Sequence, residues 1–459
     1  MSGHRFAPQI LRKYDIRGTV GETLTEDDAY ALGRSYGAML AERDRRLVCV
    51  GFDGRLSSPM LETRLVDGLC ASGMHVLRIG LVPTPTLYFA VRAMAADGGI
   101  MVTGSHNPPN HNGFKMMLGA GSFWGEDIQE LGVIAARGAW ADGTGEAQSV
   151  ALLEAYVARL RADYFAERGL KVAWDAGNGA AGEAMRMLTA VLPGEHILLN
   201  SDIDGTFPSH HPDPTVPQNL VQLQEAVLSE GCDLGLAFDG DGDRIGVVDG
   251  QGRILWGDQL LSIFARDLLL RRPGATVIAD VKASQVLFDE VARHGGNPVM
   301  AATGHSIIKS KMAELSAPLA GEMSGHIFFA DRYYGFDDAL YAAVRLLEIA
   351  ARSDQSLVDM RDGLPQVVNT PETRFEVSED KKFAIVDEVK ERLSRTDAVV
   401  DDTDGVRVLI DDGWWLLRAS NTQSALVVRC EASDADGLAR LKAVVAEQLG
   451  QSGIDADVF

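Results

Sequence analysis

Three times along this chain, short apolar runs alternate with amphipathic stretches of helical period. That alternation predicts parallel sheets covered by helices. In the first stretch, Leu47–Phe52 is an apolar strand, Met60–Cys70 a helix, His75–Ile79 a strand, Thr86–Met94 a helix and Gly99–Val102 a buried strand. The second follows the glycine-rich Gly138–Gly145, with a helix over 150–166, a strand Lys171–Trp174, and strands Leu234–Ala237 and Ile245–Val248 around an acidic loop. The third runs from about Leu255 to Arg352, with strand Ala275–Ala279, helix Gln285–His294, strand Val299–Ala302 and helix Asp337–Ala351. The tail differs: strand Glu372–Val377, helix Phe383–Leu393, strands Val406–Ile410 and Trp414–Arg418 around Asp411-Asp412-Gly413, strand Ser424–Arg429 and helix Asp436–Leu449. A hairpin signal with two helices predicts a small antiparallel α+β domain. The expected domains are 1–150, 151–253, 254–367 and 368–459.

The 43 basic and 65 acidic side chains leave a net charge of −22. So acidic a surface repels nucleic-acid backbones and anionic membranes, so an anionic ligand needs a local concentration of cations. Cys49, Cys70, Cys232 and Cys430 form no C-x-x-C and have no histidine at ligand spacing, which argues against structural zinc or a disulfide framework and fits a reducing cytoplasm. The start of the chain has no apolar core long enough for a signal peptide, and Leu260–Leu270 is broken by Arg266 and Asp267.

Asp239-Gly240-Asp241-Gly242-Asp243-Arg244 is the sharpest local signal. Its alternate carboxylates can converge on one hard cation, since the glycines permit tight turns. An EF-hand would need Gly and Glu where Arg244 and Gly250 stand. Thr103-Gly104-Ser105-His106-Asn107-Pro108-Pro109 ends a buried strand, where parallel sheets bind ligands. Asn107 breaks a G-x-S-x-G elbow, which lowers a hydrolase reading; a turn chosen for its turn chemistry is the alternative. Gly321-Glu322-Met323-Ser324-Gly325-His326 could bind several hydroxyls of a polyol, with His326 able to exchange a proton, or be a plain polar loop. Arg418-Ala419-Ser420-Asn421-Thr422 offers a guanidinium, hydroxyls and an amide to a phosphate, or is a simple turn. Lys13-Tyr14-Asp15-Ile16-Arg17-Gly18 and Asn112-Gly113-Phe114-Lys115 add cations, and Lys282 and His305 are expected in polar loops. Asp175-Ala176-Gly177-Asn178-Gly179 lacks both G-x-G-x-x-G and a P-loop Lys-Ser and reads as a tight structural turn.

Taken together, KYDIRG, TGSHNPP with NGFK, DGDGDR, GEMSGH and RASNT resemble the α-D-phosphohexomutase superfamily, on its bacterial phosphomannomutase/phosphoglucomutase branch. The blocks keep that family's order over residues 13–422. The resemblance implies three similar α/β domains and a C-terminal α+β domain of the TATA-binding-protein-like type around a deep cleft. Ser105 matches the serine phosphorylated in the resting enzyme, and Asp239, Asp241 and Asp243 match the ligands that hold one Mg²⁺ beside it, with Ser105 completing the set. Glu322, Ser324 and His326 match the sugar-reading loop. Arg418, Ser420, Asn421 and Thr422 match the grip on the phosphate that is not reacting. Tyr14, His106, Arg244, Lys282 and His305 match further substrate-binding cleft positions; Arg17, Lys115 and His326 match catalytic ones, with Lys115 and His326 both open as the general base. Met323 looks like the dual mannose/glucose enzymes.

The implied reaction interconverts hexose 1-phosphate and hexose 6-phosphate of mannose or glucose, through phosphoserine and a 1,6-bisphosphate that turns around. Glucose or mannose 1,6-bisphosphate is the implied activator. A cytoplasmic monomer is expected, with phosphosugars as its partners and neither nucleic acid nor membrane. Phosphoglucosamine mutase is an alternative. A non-catalytic phosphosugar-binding protein is another, against which the presence of Ser105 and all three aspartates counts.

Overall fold

The computed structural model describes residues 3–421 and 423–455. It contains four sheets, and three of them share one plan. In the first, Leu47–Phe52 pairs in parallel with His75–Leu81 on one side and Gly98–Val102 on the other, and Gly98–Val102 pairs antiparallel with His111–Leu118. In the second, Leu170–Asp175 is flanked in parallel by Gly194–Leu199 and Leu234–Phe238, followed by antiparallel Ile245–Asp249. In the third, Thr276–Asp280 is flanked in parallel by Asn297–Ala301 and Leu319–Gly321, followed by antiparallel Ile327–Phe329. The expected parallel sheets are therefore mixed. A parallel return needs a crossover of about a dozen residues or more. The segments 103–110, 239–244 and 322–326 are shorter than that, so each following strand must run back antiparallel.

The fourth sheet is wholly antiparallel, and the hairpin Val406–Ile410 with Gly413–Ala419 turns where Asp412-Gly413 predicts it. Two other expectations change. The helix expected over 150–166 is Leu153–Arg161, preceded by strand Glu146–Ser149, which extends the first sheet beside His75–Leu81. All four residues of that strand are exposed, so no apolar alternation marks it. His305 is not in a loop but opens helix His305–Leu315, whose buried side is only Ser306, Ile308 and Met312. Ile254–Leu255, beyond the expected boundary at 253, pairs with the second sheet.

One hydrophobic cluster runs continuously from Leu77 and Leu87 through Trp174 and Phe238 to Leu261, Phe329 and Leu346, so the first three sheets share a core. The fourth has its own, around Val389, Trp415, Val428 and Leu441. It meets the third sheet at Val281, Trp414 and Leu416. Among the described residues no helix is long and apolar enough to cross a membrane.

Candidate active site

In each of the three similar sheets, the loop between the last parallel strand and the antiparallel strand carries one of the motifs. They are 103–110, 239–244 and 322–326. The shared core turns these three strand ends toward one another. Ser105 Oγ, on the first loop, donates to Asp239 Oδ2 on the second at 2.8 Å. It lies 3.3 Å from His106 Nδ1. Ser105 is buried and left-handed at φ +49°, an uncommon conformation for a residue with a Cβ. A Cβ on Gly240 would lie 2.4 Å from the Ser105 carbonyl oxygen, so only glycine lets the two loops meet.

Asp239, Asp241 and Asp243 are fully buried, with carboxylate oxygens within 4.8 Å of one another. Asp239 Oδ1 closes the loop by accepting the Asp243 and Arg244 amides, both at 3.1 Å. Gly242 takes φ +75° to complete the turn. Thr84, at the start of helix Thr84–Ala93, docks the loop: its hydroxyl donates to Asp241 Oδ2 at 2.5 Å and its amide to the Asp241 carbonyl at 2.8 Å. Lys115 Nζ donates to Asp241 Oδ2 at 2.7 Å and also to Asp243 Oδ2. Burial and the Asp241 charge raise the pKa values of Asp239 and Asp243. Burial opposes the Asp241 charge as well, but Lys115 and Thr84 outweigh it and hold that pKa below the ordinary range. Among the described residues, one ammonium in direct contact does not neutralise three carboxylates, and Asp241 Oδ1 is buried without a hydrogen-bond partner. An all-oxygen donor set with an orphaned oxygen and surplus negative charge fits a hard divalent cation.

The third loop joins this cluster through His326. Its Nδ1 lies 3.0 Å from Glu322 Oε2, and its Nε2 accepts from Arg244 Nε at 3.0 Å. Those partners place the proton on Nδ1 and occupy the Nε2 lone pair with the Arg244 donor, and Nε2 also lies 3.1 Å from Asp243 Oδ1. Glu322 Oε1 accepts the Gly304 amide at 2.6 Å, and Ser324 lies in the half-buried turn. The His305 ring stands 5.5 Å from that of His326, with Nδ1 3.5 Å from Asp337 Oδ2. Arg17 pairs with Asp15 at 2.5 Å and donates to the Gly104 carbonyl at 3.0 Å.

The C-terminal domain closes the ring. Asn421 Nδ2 donates to the Tyr14 hydroxyl at 2.7 Å, and that hydroxyl donates to the Thr303 carbonyl at 2.7 Å. Arg418 Nε donates to Asp404 Oδ2 at 2.9 Å, and the same oxygen accepts the Thr303 amide at 3.0 Å. Lys282 Nζ lies 3.2 Å from Glu372 Oε2. Ser420 Oγ accepts the Gln423 amide at 3.1 Å, and Thr422 falls outside the described residues. The motif residues from Ser105 to Arg418 are thus joined by a chain of polar contacts that passes through Asp239, Arg244, His326, Glu322, Gly304, Thr303 and Asp404. Sequence reasoning missed Asp53, Arg55, Thr84, Asp337 and Asp404, which act behind the motif residues. The signal available for Asp53 was the one used elsewhere, a polar turn closing a buried strand.

Comparison with known proteins agrees with this plan. The phosphoglucomutase/phosphomannomutase family is matched in all four of its parts: alpha/beta/alpha domain I over residues 8–137, domain II over 153–252, domain III over 256–368 and the C-terminal domain over 372–448. A phosphomannomutase/phosphoglucomutase of Pseudomonas aeruginosa is 45% identical over 440 residues, 96% of this chain and 95% of that protein. A phosphoglucomutase of Neisseria meningitidis is 44% identical over 440 residues, 95% of each. The crystal structure of a phosphoglucomutase/phosphomannomutase family protein from Burkholderia thailandensis superposes with a TM-score of 0.92 at 41% identity, covering 98% of both chains. With its three like α/β domains, its antiparallel C-terminal domain and relatives of this similarity over nearly their whole length, the chain belongs to the phosphoglucomutase/phosphomannomutase family of phosphohexomutases.

Proposed function

We propose that this chain interconverts hexose 1-phosphate and hexose 6-phosphate of glucose and mannose, with Ser105 as the phosphoryl carrier. The observation that carries the reading is the approach of Ser105 Oγ to within 2.8 Å of Asp239, in a buried carboxylate cluster suited to a divalent cation. Phosphoryl transfer asks mainly for positioning and charge stabilisation. Mg²⁺, which the acidic loop and Ser105 Oγ would hold, supplies Lewis-acid polarisation of a phosphoryl oxygen. Arg17 and Lys115 present positive charge beside Ser105. Lys115, which donates to Asp241 and Asp243, is one candidate to take the hydroxyl proton of the sugar. His326, with Nδ1 held by Glu322 and Nε2 beside Arg244 Nε and Asp243 Oδ1, is the other candidate, and would take the hydroxyl proton at Nε2 once the Arg244 donor gives way. Ser105 then gives its phosphoryl group to that hydroxyl, and after the bisphosphate turns over it takes back the other one.

Arg418, with Ser420, Asn421 and Thr422, grips the end that is not reacting, and the Glu322 loop reads hydroxyls that glucose and mannose share. Tyr14, His106, Arg244, Lys282 and His305 line the path between. Domain limits near 150, 253 and 367, a monomeric state and a cytoplasmic location complete the reading. Purified protein incubated with glucose 1,6-bisphosphate should gain one phosphate on the peptide holding Ser105, and mutase turnover should rise with it. Ser105→Ala should lose both yet still bind hexose phosphate. Normal turnover by that variant would defeat the reading. Glucosamine 1-phosphate, run beside the other two sugars, decides the substrate range.

A further inference from the structure

Asp53-Gly54-Arg55 follows the strand Leu47–Phe52 at the topological point that Asp280-Val281-Lys282 occupies in the third sheet. Asp280 Oδ1 accepts the Met323 amide and so braces the sugar-reading loop. Asp53 braces the Ser105 loop in the same way. Its Oδ2 accepts the Thr103 hydroxyl at 2.8 Å and the Gly104 amide at 3.1 Å, and Thr103 Oγ1 in turn accepts the Ser105 amide at 2.8 Å.

Arg55 goes further. Its side chain is wholly buried, with no exposed area. Nη1 donates to the carbonyls of Pro108 at 2.6 Å and His111 at 2.9 Å. Nη2 donates to those of Ser105 at 2.7 Å and Asn107 at 2.6 Å. Nε sits 3.2 Å from Asp53 Oδ2. The loop therefore wraps around one guanidinium, and a Cβ on Gly104 would lie 2.5 Å from its carbon. The ring of Phe207, from the second domain, covers the guanidinium 5.2 Å from its centre. A planar fork with fixed donors can dictate four carbonyl directions at once, whereas a single ammonium cannot. The residue whose backbone is left-handed, Ser105, has its amide held through Thr103 and its carbonyl held by Arg55.

We propose that Arg55 is the positioning residue of the phosphoryl carrier: its guanidinium keeps Ser105 left-handed with Oγ aimed at Asp239. Arg55 is set back from the substrate cleft behind the loop, and acts only through Ser105. The inference rests on the reading of Ser105 as the carrier, so the test has one arm that is independent of turnover. Arg55→Lys keeps the charge and removes the fork. Amide hydrogen exchange should then quicken at least about tenfold within 103–111 while the rest of the chain keeps its protection. In the turnover arm, kcat should fall by at least about tenfold with KM for hexose phosphate within about twofold, because Arg418 and the Glu322 loop are untouched. Unchanged exchange in the loop, or unchanged kcat, overturns the proposal. So does a loss of protection spread over the whole domain with kcat and KM changed together. Should the lysine variant not fold, Arg55→Gln takes the same two measurements, and failure of both to fold assigns Arg55 to folding and overturns the positioning role. If wild-type protein never carries phosphate on Ser105, the underlying reading fails, while the exchange arm still decides whether Arg55 holds the loop.

Discussion

Asp241 shows how much one residue can be asked to do. Its Oδ2 receives Lys115 and Thr84, while Oδ1 is buried and has no hydrogen-bond partner among the described residues. Asp241→Asn keeps the shape and removes one ligand charge. We expect kcat to fall by roughly a hundredfold, equivalent to about 2.7 kcal/mol, while the protein still folds. Wild-type melting temperature should rise with added Mg²⁺ by ligand linkage, and that of the variant should rise much less. Equal rises in both proteins would remove Asp241 from the cation site. The three aspartates were legible in the sequence because glycines alternate with them between apolar strands. Arg55 was not, because one arginine after a strand looks like any surface cation. Only the fold shows that four carbonyls from positions 105–111 converge on it.

At the scale of elements, the sequence shows which runs are strands but not the direction in which they pair. Leu234–Phe238 and Ile245–Asp249 are fully buried on both faces, so neither has the alternation that marks an antiparallel strand. Loop length was the usable signal, and it places each motif in a tight return between a parallel and an antiparallel strand. The C-terminal hairpin was readable from Asp412-Gly413, and its second strand, Gly413–Ala419, delivers Arg418 to the cleft. Asp404 orients that guanidinium and is itself held by the Thr303 amide, so it stays in place when the guanidinium is removed. Arg418→Ala should therefore weaken both hexose 1-phosphate and hexose 6-phosphate without disturbing the hairpin. Losing a charged hydrogen-bond partner costs roughly 1.5–3 kcal/mol, a rise of about ten- to a hundred-fold in KM for each substrate. A rise for one phosphate position alone would contradict a clamp that serves both ends.

Over the whole molecule, the first three domains share a core, whereas the fourth is fastened to the third largely by polar contacts. Arg407 donates to the Val281 and Ala283 carbonyls at 2.7 and 2.8 Å, and Ser284 Oγ to Glu431 at 2.9 Å. Lys282 and Glu372 pair across the same junction at 3.2 Å. The Lys282 charge outweighs burial and lowers the Glu372 carboxyl to about 2, from an ordinary 4.5. A carboxyl depressed in the folded state contributes stability that is present above pH 4.5 and is lost as pH falls through about 2. At about 1.4 kcal/mol per unit, Lys282 and Arg374, which donates to Glu372 Oε1 at 2.7 Å, together contribute at most roughly 3 kcal/mol through Glu372. Glu372→Gln should therefore lower the denaturant midpoint at pH 7, and the difference from wild type should shrink between pH 4.5 and 2. Equilibrium unfolding of both proteins at several pH values across that window measures it. Two curves that stay parallel down to pH 2 would show that Lys282 and Arg374 do not hold Glu372 ionised, and that the junction rests on its other contacts.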